Sequence, residues 1–263
     1  MKSLSSILPA LASLFWGGAI VYLYAAGRMG EFLVPKFHLI TLFGGLGMIV
    51  LGLFVLLTLR EKSDCGHDHC EHDHDHHDQN PWVVLFLMIA PLSAALATDT
   101  SAGYSLDVLE RKGLFNNQVN AAAYQLPPFT REMLEQSTPR NDEGHYQLPV
   151  SQIFFSSGDE SMREVFTGIP VETEGQVVRE RERNEDGRRL RIYRTLMTCC
   201  AADAMVLGFP LEFTAPPSVE ERGWIRVAGT LGYEETPDGP SPVLQVETVE
   251  SIPAPRDAGF TGW

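Results

Sequence analysis

The chain has 263 residues, a formal net charge of −14 and four cysteines. This length accommodates an apolar segment and one domain of roughly 100 to 150 residues, the usual size of a single packed core. Acidic side chains outnumber basic ones 34 to 20, which argues against binding to nucleic-acid phosphates, and the cysteines are too few and too clustered for a disulfide scaffold.

Three apolar segments near the N-terminus predict helices that cross a membrane. Residues 7–26 carry no charge and are long enough to span about 30 Å of hydrocarbon. They exceed the roughly 7 to 15 residues of a signal-peptide core, which is the competing interpretation. Residues 37–59 form a second uncharged run, and residues 81–97 form a third, at the short limit for a crossing and with Pro91 inside it. We therefore expect two or three membrane helices within residues 1–98.

The second apolar run is rich in glycine, which lets membrane helices approach closely. The glycines concerned are Gly44, Gly45, Gly47 and Gly52. With three crossings, the N-terminus and the loop after the second helix share one side, and the C-terminal domain lies on the other. Basic residues normally mark the cytoplasmic side, but here they are divided between both sides. The working expectation is a cytoplasmic N-terminus and an extracytoplasmic C-terminal domain.

The loop at residues 64–78 predicts metal binding, because it packs six histidines, two cysteines and six carboxylates into fifteen residues. Imidazole and thiolate are preferred ligands of Zn²⁺ and neighbouring transition ions. The loop lacks the fixed spacing of a rigid structural zinc site, which favours an exchangeable site for a divalent ion, with Zn²⁺ expected. A merely solvated charged loop is the alternative. The predicted ligands are Cys65, His67, His69, Cys70, His72, His74, His76 and His77.

The remainder of the chain predicts a stalk, an all-β domain and a tail. Residues 99–145 have mixed composition and predict a stalk or linker with a short helix near 106–114. Residues 146–254 contain short alternating runs separated by turn residues, which predict five or six strands in a small OB-like antiparallel barrel. Residues 255–263 form the tail. The strands are expected near 148–154, 169–179, 189–198, 205–213, 223–233 and 242–252.

An arginine-rich run between residues 179 and 194 raises the question of nucleic-acid binding, which many OB barrels perform. Such binding needs a basic groove with exposed aromatic side chains. Here acidic residues interrupt the run, among them Glu180, Glu182 and Glu185. We therefore expect a salt-bridged hairpin face and no nucleic-acid partner.

The adjacent cysteines Cys199 and Cys200 form a second candidate metal site. Neighbouring residues of a strand point to opposite faces, so both can bind one ion only if the strand bends. Asp203 and the small alanines around it favour such a bend. A metal site that includes Asp203, a redox-active pair, and one buried structural cysteine beside a half-exposed one all remain open.

Several motifs together resemble the bacterial YcgQ-type family, also called DUF1980. They are the motif at residues 196–204, the strands at 206–213 and 224–231, and, upstream, the apolar segments with the His-rich loop and residues 106–114. The resemblance implies a multi-pass protein of the bacterial inner membrane, described as a subunit of a two-component permease. It implies a multi-spanning YraQ/YcgR-like permease as partner and a link to zinc homeostasis. The positions matching its most distinctive motif are Cys199, Cys200 and Asp203.

The expected function is that of an accessory subunit handling divalent metal beside a permease. Three helices without intramembrane acidic residues or arginine make a poor ion path by themselves, so a partner is required. The alternative is a membrane-anchored protein-interaction or scaffold module with no direct transport role. A thiol enzyme is not expected, because the sequence has no C-x-x-C pair and no histidine beside the cysteines.

Overall fold

A computed structural model describes residues 2–58, 81–97, 105–115, 128–181 and 183–255. The chain forms two compact units, Met1–Gly103 and Tyr104–Trp263. The first consists of apolar helices, and the second is a β barrel with short helices.

The first unit begins with two long apolar helices, α1 (Lys2–Ala25) and α2 (His38–Thr58). Within the described residues, the segments Ile7–Ala25 and Pro35–Thr58 are long and apolar enough to cross a membrane. Many large apolar side chains of α2 are exposed, such as Phe43 at 68%. Such a surface is typical of a helix in contact with lipid or with another protein.

Glycines determine how closely α1 and α2 pack. A side chain at Gly17 would place its Cβ 2.5 Å from the carbonyl oxygen of Gly45, and a Cβ at Gly52 would lie 2.8 Å from a leucine of α1. Gly44 and Gly47 have open space around them. Two of the four glycines singled out in the sequence therefore form the helix contact, and the other two face away from it.

A third apolar helix, α3 (Pro81–Ala97), runs parallel to α1. The Trp16 indole donates to the carbonyl of Met88 at 3.2 Å. Arg28, just beyond the end of α1, donates to the carbonyl of Leu96 at 3.3 Å. The contacts thus follow the same chain direction in both helices. α3 is continuous through its internal proline but is only 17 residues long, at the short limit for a crossing.

Among its described residues, the second unit contains six strands, five of which close into a barrel. The strands are β1 (Tyr146–Gln147), β2 (Pro170–Arg179), β3 (Arg189–Leu196), β4 (Met205–Glu212), β5 (Trp224–Thr236) and β6 (Gly239–Ser251). The order around the barrel is β2, β3, β4, β6, β5, and β5 pairs again with β2. Neighbours are antiparallel except β4 and β6, which pair in parallel, and β1 is a short parallel addition to β2. This Greek-key arrangement is that of an OB-type barrel, so the predicted fold class is confirmed.

In the part of this unit that the structure describes, four short helices accompany the barrel: α4 (Leu106–Arg111), α5 (Arg131–Ser137), α6 (Val150–Ser156) and α7 (Glu160–Phe166). Leu134 of α5, Ile153 of α6 and Phe166 of α7 are fully buried in the same core as Ile192 and Phe209 of the barrel strands. α5, α6 and α7 therefore share one hydrophobic core with the barrel strands.

Residues 148–154 were predicted as a strand, and this prediction is wrong, because α6 occupies most of them. Pro149 is the residue before the helix, where the missing N–H of proline costs nothing. Val150, Ile153 and Phe154 are buried, at the spacing of one helix face. A short apolar run does not distinguish a buried strand from a buried helix by periodicity alone, which explains the error.

Candidate metal site at the dithiol turn

The candidate site lies where β3 turns into β4. The two strands pair in register up to Leu196 and Met205, and residues 197–204 connect them; we call these residues the dithiol turn. Cys199 is exposed and Cys200 is half-buried, and both are free thiols. The bend expected from the sequence is present, because both cysteines lie beyond the end of β3.

Asp203 organises the backbone of this turn. One carboxylate oxygen accepts a hydrogen bond from the N–H of Cys199 at 2.8 Å, and the other accepts from the N–H of Cys200 at 3.2 Å. The N–H of Asp203 donates in return to the carbonyl of Cys200 at 3.1 Å. Three hydrogen bonds therefore fix the two cysteine residues relative to Asp203.

The geometry of the turn matches a tetrahedral ion. The two sulfurs lie 3.7 Å apart, and one ligand atom from each of Cys199, Cys200 and Asp203 falls within 4.8 Å of the others. Two Zn–S bonds of about 2.3 Å at the tetrahedral angle place their sulfurs about 3.8 Å apart. The thiol pair thus has the separation that one zinc ion requires, and three protein ligands would leave a fourth position open.

The two thiols differ in acidity. The pKa of Cys199 is raised to about 11, mainly because its S–H is hydrogen bonded to the Asp203 carboxylate. The pKa of Cys200 is lowered, chiefly by the N–H of Ala202 and then by the Cys199 thiol. Cys200 therefore forms the thiolate first, and an incoming cation would have to displace the Cys199 proton.

The carboxyl of Asp203 stays ionised over the whole neutral range. Desolvation opposes its ionisation, but the Cys199 thiol and backbone N–H groups of the turn outweigh this effect, so the pKa of Asp203 is lowered. Its negative charge faces the position that a cation would occupy. The turn therefore offers one thiolate, one exchangeable thiol and one carboxylate.

The structure brings together three of the predicted ligands, Cys199, Cys200 and Asp203. The other eight lie in residues 64–78, outside the described residues. Two further contributors were not predicted from the sequence: the N–H of Ala202, which lowers the pKa of Cys200, and the side chain of Lys112. Lys112 contacts the turn from 89 residues away, a separation at which no spacing pattern could have signalled it.

The arginine-rich run is paired with acidic groups, as expected for a salt-bridged face. Arg191 and Glu180 form a buried ion pair at 2.9 Å. Arg183 and Arg189 both bind Glu234, at 3.0 and 2.8 Å. Two glutamates thus offset part of the charge of these three arginines, which disfavours a basic groove.

Fold and site together define a protein with apolar N-terminal helices, one OB-like barrel and a candidate metal site on an exposed turn. Residues 8–103 match the DUF1980 N-terminal domain, and residues 143–258 match the DUF1980 C-terminal domain. The chain belongs to the DUF1980 family, which confirms the resemblance of its motifs. A comparison with curated proteins gave no match.

Proposed function

We propose that the chain is a membrane accessory subunit of a two-component permease that handles divalent metal, with Zn²⁺ as the ion. The observation that carries the proposal is the dithiol turn, whose two sulfurs 3.7 Å apart beside Asp203 have the spacing of zinc thiolates. An open fourth position suits an ion that is received and passed on. The proposal assigns no chemical reaction and no nucleic-acid partner.

The apolar helices support the proposed location of the chain in the bacterial inner membrane. Two of them have the length and apolarity of a crossing, and α3 runs parallel to α1 through the Trp16 and Arg28 contacts. The N-terminus and residues 59–80 would then share one side, with the barrel on the extracytoplasmic side.

Transport of the ion across the membrane would require a partner protein. The three helices contain no Asp, Glu, Lys or Arg between residues 7 and 25, 38 and 58, or 81 and 97, and their one histidine, His38, stands at the first position of α2. They therefore offer a metal ion few ligands within the bilayer. A multi-spanning YraQ/YcgR-like permease would supply the path. In this arrangement the His-rich loop at residues 64–78 collects ions, and the dithiol turn is a second, separate binding position.

Elemental analysis of the full chain, purified in detergent without nickel and equilibrated with buffered Zn²⁺, tests the proposal. The wild type is compared with a variant in which residues 64–78 are replaced by Gly and Ser, and with a Cys199→Ser, Cys200→Ser double variant. Cys65→Ser with Cys70→Ser controls for the removal of two thiols elsewhere.

We expect the loop replacement to remove most bound metal and the Cys199, Cys200 double variant to remove one further equivalent. If neither replacement changes the metal content, the metal-handling role is wrong, and the barrel becomes a candidate protein-interaction module. If only the loop replacement has an effect, the dithiol turn is not a metal site.

A further inference from the structure

The side chain of Lys112 contacts the dithiol turn from outside. The ammonium group of Lys112 donates hydrogen bonds to the carbonyl oxygen of Ala201 at 3.2 Å and to that of Ala204 at 2.9 Å. Ala201 follows Cys200 directly, and Ala204 follows Asp203 directly. Lys112 therefore binds the turn at the residue after Cys200 and at the residue after Asp203.

One of these contacts lies next to a sulfur ligand. The carbonyl of Ala201 and the N–H of Ala202 belong to one planar peptide group. This group lies inside the turn that the N–H of Asp203 closes by donating to the carbonyl of Cys200 at 3.1 Å. By holding the Ala201 carbonyl, Lys112 therefore restricts the backbone that carries the Cys200 side chain.

Lys112 is itself firmly placed. It follows α4, and its carbonyl accepts the N–H of Val206 at 3.1 Å, which ties the end of the helix to β4. Leu109 and Leu114 on either side of it are buried against Val178 and Tyr193 of the barrel wall. The lysine thus reaches the turn from a segment that is packed against the barrel wall.

We propose that Lys112 is the positioning residue of the dithiol turn and holds both cysteines in the geometry that accepts a metal ion. The role in metal binding rests on the proposed function, whereas the contacts of Lys112 with the turn do not. Groups that support metal ligands without touching the metal typically contribute 10- to 100-fold to metal affinity. A lysine with only a general structural role would instead affect the whole barrel.

The test compares Lys112→Met with Arg111→Met in the full chain in detergent. Arg111 is exposed, lies next to Lys112 and contacts the carbonyl of Asp107 within its own helix, so its replacement removes the same charge without touching the turn. Both variants also carry the Gly and Ser replacement of residues 64–78. Zinc affinity is measured by competition with a chromophoric chelator, and amide hydrogen exchange is followed by mass spectrometry on the metal-free protein.

For Lys112→Met we expect zinc binding weakened about 10- to 100-fold relative to Arg111→Met, and faster exchange confined to peptides covering residues 197–204. Lys112→Arg, which keeps a cationic donor, should recover part of the affinity. If Lys112→Met fails to fold, Lys112→Gln, a shorter neutral donor, takes its place.

Equal zinc affinity and equal exchange in the two methionine variants would overturn the proposal, as would exchange that rises throughout the barrel. If the parent protein binds no zinc at the turn but exchange still rises only at residues 197–204, the positioning role stands and the dithiol turn is not a metal site.

Discussion

At the scale of single residues, Asp203 acts on the candidate site in two ways. Its carboxylate accepts two backbone hydrogen bonds that shape the turn, and its hydrogen bond with the Cys199 thiol is the main reason that the pKa of this thiol is raised to about 11. The same residue therefore builds the site and keeps one of its ligands protonated until a cation arrives.

Replacing Asp203 by Asn should separate these effects. Asparagine has one acceptor oxygen and no charge, so the neutral Cys199 thiol loses its stabilising partner and the pKa of Cys199 should fall from about 11 towards its ordinary value. At pH 8, Cys199 of the metal-free variant should react faster with iodoacetamide. Peptide mass spectrometry over a pH series measures this, with Asp142→Asn as a control. An unchanged or higher pKa of Cys199 would contradict this account.

Zinc binding at the turn should strengthen steeply with pH. Both thiols must lose their protons to bind the ion, and the affinity rises about tenfold per pH unit for each proton released. Since the pKa of Cys199 is raised to about 11, its proton is still bound at neutral pH.

Between pH 6 and 8 we therefore expect the logarithm of the affinity to rise by about one to two per pH unit. Competition titrations on the protein in which Gly and Ser replace residues 64–78 measure this slope of affinity against pH. Cys199→Ser should reduce it by about one, because that variant releases one proton fewer. A flat profile would exclude thiolate ligation.

At the scale of elements, the sequence predicted the five barrel strands well, because turn residues mark where each short run ends. It failed at α6, where residues 150–156 were too short and too apolar to reveal a helical period. It also contained a start signal for α7, since the Asp159 side chain accepts the N–H of Met162, but that signal lay between two predicted strands, where aspartate is also a common turn residue. Contacts set by the barrel, such as Lys112 on the dithiol turn, have no local signature.

The packing of α1 on α2 yields a prediction with a built-in control. Gly17→Val would drive its Cβ into the backbone of Gly45 at 2.5 Å, whereas the neighbouring Gly18 has open space around it. We expect Gly17→Val to destabilise the helix pair by about 1 to 3 kcal/mol, the usual cost of overpacking, and Gly18→Val to have little effect.

Pulse proteolysis of the detergent-solubilised chain along an SDS titration measures the difference between these two variants. Equal resistance to the protease would mean that α1 and α2 do not pack through Gly17.

At the scale of the whole molecule, the number of crossings decides how the two candidate metal positions are related. With three crossings, the His-rich loop at residues 64–78 and the dithiol turn lie on opposite sides of the membrane, so an ion passing between them must use a partner. With two crossings, they share one side and can exchange ions directly. The parallel course of α1 and α3 favours three.

The four native cysteines allow the number of membrane crossings to be measured. A Cys199→Ser, Cys200→Ser variant leaves Cys65 and Cys70 in the His-rich loop, and the reciprocal variant leaves the pair in the dithiol turn. Both are treated in intact spheroplasts with a membrane-impermeant maleimide, in zinc-free reducing buffer, before and after permeabilisation. We expect the turn cysteines to react from outside and the loop cysteines only after permeabilisation, because a third crossing would place the barrel across the bilayer from the loop. Labelling of both pairs from the same side would establish two crossings, and direct transfer between the two sites would then replace transfer through the permease.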